Sequence, residues 1–155
     1  MQKIASFTVD HDLLTEGMYI SRIDDDVTTF DLRCRKPNMC DYIDNITLHS
    51  VEHMFATLVR NSGIGENVIY FGPMGCRTGF YLLTRNVEPN KVFEEVKKVL
   101  EGILKEEKMY GQSRRECGNY LELDLEKAKV ECERYLNILL SKGEKNDFTY
   151  KGEKI

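Results

Sequence analysis

The sequence has no apolar run approaching the ~18–20 residues needed to cross a bilayer as a helix, so no membrane anchor of that kind is expected. It also lacks an excess of positive charge. Its 22 Lys and Arg stand against 26 Asp and Glu, for a formal net charge of −4. Nucleic-acid binding usually leaves a basic footprint, so no nucleic-acid partner is expected. Lys3 and Asp10 interrupt the first ten residues too early for the apolar core of an export signal, and a cytoplasmic location follows as an expectation. The five cysteines (Cys34, Cys40, Cys76, Cys117 and Cys132) are odd in number and widely spaced, which argues against a disulfide framework. Each is then a buried small hydrophobe, a metal ligand or a reactive thiol. Histidine is scarce too: there are three, and two of them, His49 and His53, lie within one short stretch.

What is present reads as α+β. Ile4–Asp10, Met18–Ile23 and Val27–Arg35 carry the β-branched and alternating patterns of strands, the last stopped by Pro37. Residues 46–60 have a helical stripe (Val51, Met54, Phe55, Leu58, Val59) that Asn45 can cap and Ser62-Gly63 ends. Val68–Phe71 and Gly79–Thr84 read as two more strands. Pro89 opens a helix to about Lys105, and Asp124 caps another that Gly143 ends. Strands without a regular βαβ alternation favour a mostly antiparallel sheet packed against about three main helices. Residues 1–143 read as a single domain, and 144–155 as a polar tail expected to fray.

Leu48-His49-Ser50-Val51-Glu52-His53-Met54 has the form H-x-x-E-H on the first of these helices. At about 100° per residue, both imidazoles and the carboxylate share one face, and two histidines at i and i+4 can grip one metal ion. Taken alone, such a stretch is as readily a solvated helix face. A firm site needs a third ligand, and Cys117 in Glu116-Cys117-Gly118-Asn119-Tyr120 is the candidate. The loop Pro73-Met74-Gly75-Cys76-Arg77-Thr78-Gly79 offers a second thiol between glycines, with the Arg77 cation beside it to favour thiolate.

His49–Ala56, Pro73–Leu82 and Glu116–Tyr120, in this order, resemble the S-ribosylhomocysteine lyase (LuxS-type) family. The resemblance extends to Ser6–His11 and to Phe30-Asp31-Leu32-Arg33, and covers about residues 4–142. It departs at Cys34, at Thr57 and beyond Lys142. The resemblance implies His49, His53 and Cys117 as ligands of Fe²⁺, replaceable by Zn²⁺ or Co²⁺. It implies Glu52 and Cys76 as acid/base groups and Ser6, His11 and Arg33 as residues lining the substrate pocket, with Arg33 also a reasonable cation to hold Cys76 as thiolate. It implies a homodimer with its active sites at the interface. The implied reaction cleaves the thioether of S-ribosylhomocysteine to homocysteine and 4,5-dihydroxy-2,3-pentanedione, the autoinducer-2 precursor of quorum sensing and a step of the activated methyl cycle. Two other readings fit the motif: a zinc hydrolase or peptidase with Glu52 activating water, or a structural zinc module closed by Cys34 or Cys76 as fourth ligand.

Overall fold

The computed structural model describes residues 1–155. Strands β1 (Gly17–Asp24) and β2 (Val27–Arg33) form a hairpin. Helix α1 (Asn45–Arg60) follows, then β3 (Val68–Pro73), β4 (Gly79–Arg85), α2 (Pro89–Lys105) and α3 (Leu125–Leu140). The sheet order is β1-β2-β4-β3, and every pairing is antiparallel. The three helices pack on one another, and α1 lies against β3. This is the α+β arrangement expected from the pattern.

The packing follows from where the apolar residues fall. Helix α1 buries Leu48, Val51, Met54, Phe55 and Val59 on one stripe, which leaves His49, Glu52 and His53 on the adjoining stripe. Phe55, Phe71 and Phe80 stack with ring centroids 4.3 and 5.1 Å apart, locking α1 to the sheet. The cap of α1 is Asp44 rather than Asn45. Its carboxylate accepts the Thr47 N–H at 3.0 Å and the Thr47 hydroxyl at 2.7 Å. An ionised carboxylate is the better acceptor at a helix N-terminus. Ser50 Oγ, one turn further on, accepts the Asp124 N–H at 2.8 Å and so ties the entry of α3 to α1. Arg35 forks onto Glu131 of α3 at 2.7 and 2.6 Å.

Three further expectations are corrected. Residues 4–10 form no strand: Ala5–Phe7 is a 3₁₀ turn. The Thr8 N–H and hydroxyl both bond back to the Ala5 carbonyl, at 3.1 and 2.7 Å, so local hydrogen bonds outcompete an extended path. The second correction is the tail, which does not fray from residue 144. Phe148 accepts the Ile20 N–H at 2.9 Å, and its ring meets Phe30 and Phe93 edge-on at 6.0 and 6.2 Å. Asn146 donates to the Met18 carbonyl at 2.8 Å. The free side of β1 is thus taken by residues 146–150. Strand β2 also stops at Arg33 rather than Arg35, because the N–H groups of Cys34 and Arg35 both turn onto the Thr78 carbonyl, each at 2.9 Å.

Candidate active site

His49, His53 and Cys117 meet. One ligand atom from each lies within 4.8 Å of the others, in partly buried surroundings. The imidazole nitrogens that face away are already engaged. Nδ1 of His49 is 2.9 Å from the Glu122 carbonyl, and Nδ1 of His53 is 2.9 Å from the Tyr110 carbonyl. A carbonyl only accepts, so each Nδ1 carries a proton, and in the neutral ring this leaves the Nε2 lone pair for an ion. A backbone carbonyl behind each ligand is the usual way of setting tautomer and ring orientation in a metal site. His49 Nε2 lies 3.4 Å from Cys117 Sγ. Two ligands of one tetrahedral zinc-sized ion would be about 3.5 Å apart for ~2.05 Å to nitrogen and ~2.3 Å to sulfur. The Asn119 N–H donates to the same sulfur at 3.3 Å. The donor set fits a transition metal, and its thiolate suits iron or zinc better than magnesium or calcium.

Glu52 is beside this cluster but outside it. Its Oε2 is 3.9 Å from His53 Nε2, and its side chain is a third exposed. It opens onto a shallow cleft of about 410 Å³ between α1 and β3, shared with Ala56, Arg60, Tyr70 and Phe71.

Cys76 sits in a second group. The β3–β4 loop turns tightly, with Arg77 N–H on the Met74 carbonyl at 3.0 Å and Arg77 itself in the left-handed region at φ 58°. The flanking glycines do not make that turn. Arg77 is also not the cation beside the thiol: its guanidinium donates to the Ile43 carbonyl at 3.5 Å and lies 5.7 Å from the Tyr42 ring. Arg33 takes that place from β2. Its Nη1 donates to Thr78 Oγ1 at 2.8 Å, and Thr78 Oγ1 lies 3.0 Å from Cys76 Sγ. A hydroxyl that accepts from a guanidinium keeps its own proton for the sulfur. Arg33 also pairs with Asp31, Nε to Oδ1 at 3.0 Å and Nη2 to Oδ2 at 2.6 Å, and both side chains are buried. Burial works against the Arg33 charge, yet the attraction of Asp31, with smaller help from Cys76 and Tyr150, still raises its pKa. The close approach of β2 to this loop requires Gly79, where a Cβ would lie 2.3 Å from the Leu32 carbonyl oxygen.

Ser6 lies in the 3₁₀ turn, and His11 Nδ1 is 2.9 Å from the Val9 carbonyl. Neither hydrogen-bonds to the ligands, Glu52 or Cys76 within one chain. Cys34 is buried in the core with Cys132, where burial pushes both thiols up, and it lies outside the ligand cluster. A closed site using Cys34 is therefore not formed.

A family model described as S-ribosylhomocysteinase (LuxS) matches residues 4–146. The chain belongs to the LuxS family. Among curated LuxS relatives, a protein named S-ribosylhomocysteine lyase from Borreliella afzelii (strain PKo) is 44% identical, over 94% of this chain and 98% of its own. One of the same name from Finegoldia magna is 41% identical over 90% and 92%. One from Desulfotalea psychrophila is 38% identical over 97% and 99%. No helix of this LuxS chain is long and apolar enough to cross a membrane.

Side chains alone did not disclose Thr78, Asp31 or Gly111. Asp31 and Arg33 stand at i and i+2 on a strand, hence on one face, which was the available signal. Gly111 has φ +67°, and a Cβ there would lie 2.8 Å from His53 Nδ1. Gly111→Ala should therefore displace the Tyr110 carbonyl from His53 and lower metal affinity about 10- to 100-fold. Titration against a chromophoric chelator measures this, and an unchanged affinity would remove Gly111 from the site.

Proposed function

We propose that this protein is a metal-dependent carbon–sulfur lyase that releases homocysteine from S-ribosylhomocysteine. The observation that carries the reading is the convergence of His49, His53 and Cys117, with both imidazoles tied by Nδ1 to backbone carbonyls, in a chain matched by the LuxS model over residues 4–146. Fe²⁺ is the proposed ion, with Zn²⁺ or Co²⁺ as substitutes. A divalent ion held by these three residues supplies Lewis acidity to oxygens of the sugar.

The chain's own groups move the protons. Cleaving the thioether requires the sugar carbonyl to move from C1 to C2 and then to C3, which makes the C4 proton acidic. Cys76 thiolate takes the C2 proton and returns one to C1. The second migration takes a proton from C3 and returns one to C2. Glu52 then removes the C4 proton, the C5–S bond breaks with its electron pair leaving on sulfur, and homocysteine is protonated as it departs. Two groups able to exchange protons near neutral pH are the minimum for this sequence. The Arg33–Thr78 contact to Cys76, and the position of Glu52 beside His53, support this division.

Ser6, His11 and Arg33 are proposed to hold the substrate, in a cytoplasmic homodimer. In support, Ser6 and His11 stand apart from both groups within one chain. Phe7, near the N-terminus, and Ile69 and Tyr70, on edge strand β3, are exposed at 64%, 40% and 54%, as surfaces that a second copy would cover. Incubating the metal-loaded protein with S-ribosylhomocysteine and titrating free thiol tests the activity. Stoichiometric homocysteine release is expected, and its absence from fully loaded protein would overturn the reading.

A further inference from the structure

Residues 146–150 close over the free side of β1, and one of them reaches the thiol group from behind. Tyr150 stacks on Tyr19 at 5.0 Å, and its hydroxyl donates to Asp31 Oδ2 at 2.7 Å. That oxygen is the one that also accepts Arg33 Nη2 at 2.6 Å. A continuous chain of contacts thus runs Tyr150–Asp31–Arg33–Thr78–Cys76, from the tail to the reactive sulfur. We propose that Tyr150 is a positioning residue for Cys76, acting through Asp31, Arg33 and Thr78. The inference builds on the reading of Cys76 as a proton-transfer group.

The physical argument concerns one cation shared by two anions. Asp31 and a Cys76 thiolate both draw on the single guanidinium of Arg33. The Tyr150 hydroxyl points the positive end of its O–H dipole at Asp31, in buried surroundings where such a dipole is weakly screened. It takes over part of the carboxylate's demand and leaves more of the Arg33 field for the sulfur. The phenol remains a donor throughout the working pH range, because burial and the Asp31 charge raise its pKa. Two further groups bear on the same site. Tyr81 of β4 is half-buried beside Asp31, Arg33 and Cys76, with its pKa raised chiefly by burial. Arg77 is turned onto Tyr42 and Ile43. Neither replaces the Tyr150 donor, since neither hydrogen-bonds to Asp31.

Tyr150→Phe removes the hydroxyl and retains the ring on Tyr19. In the full-length, metal-loaded protein, iodoacetamide labelling of Cys76 is followed against pH by peptide mass spectrometry, alongside metal content and Tm. The midpoint of Cys76 labelling should move to higher pH, with labelling below the midpoint slowed about three- to tenfold. Metal content should be unchanged. Asn146→Ala, which frees the tail from the Met18 carbonyl, should give a smaller shift of the same sign. It serves as the test if Tyr150→Phe does not fold. A Cys76 midpoint unmoved in the folded variant overturns the proposal. Because labelling reads the thiol directly, that outcome is separate from a failure of the lyase assignment, which thiol release decides.

Discussion

His49→Ala should strip the protein of its metal and its lyase activity together. The imidazole supplies one of three ligand atoms within 4.8 Å of one another, and two protein ligands do not hold a catalytic ion firmly. The loss reaches further than one bond. His49 Nδ1 also anchors the Glu122 carbonyl at 2.9 Å, so the segment carrying Cys117 loses a tether as the ligand disappears. Elemental analysis of the purified variant should fall from about one ion per chain to near zero, with homocysteine release at background. A variant that keeps its full metal content would show that the ion is held elsewhere.

Cys76→Ala and Glu52→Gln should do the opposite with the metal and nearly the same to the rate. Neither side chain belongs to the ligand cluster, so metal content should stay normal while homocysteine release falls by about 10²- to 10⁴-fold, the scale for losing a general acid/base. The two variants should stop at different points. Without Cys76 the first carbonyl migration has no base, and exchange of the sugar C2 proton in D₂O should cease. Without Glu52 the migrations proceed, the C4 proton stays, and a keto sugar should accumulate with its C–S bond intact. Proton NMR of the reaction in D₂O separates the cases. Near-normal thiol release by Cys76→Ala would return Cys76 to a structural role in its loop.

The parts of this molecule that were legible in the sequence are those set by periodicity. Helix α2 runs Pro89–Lys105 as read, because a proline at its start and a regular apolar stripe mark both its extent and its inner face. The pairing of His49 with His53 was legible for the same reason, since i and i+4 share a face wherever a helix forms. What periodicity cannot see is a contact made once. Phe148 and Tyr150 sit in a polar tail and dock through single rings and single hydrogen bonds. Of the two cations read as favouring the Cys76 thiolate, Arg77 follows Cys76 directly yet faces Tyr42, while Arg33 reaches the thiol through Thr78 across the β2–β4 pairing, where Arg33 stands opposite Gly79. The carbonyls of Tyr110 and Glu122 were illegible for a plainer reason. Every residue has a carbonyl, so nothing in a side-chain pattern marks the two that orient the histidines.

Those two carbonyls couple the site to a segment far from regular structure. Both belong to the connection between α2 and α3, which lacks regular secondary structure and contains the dibasic pair Arg114-Arg115. An ion held by His49, His53 and Cys117 would therefore also join this irregular stretch to α1 at three points, the two carbonyls behind the histidines and the Cys117 sulfur, so that occupancy of the site and order of the connection are linked.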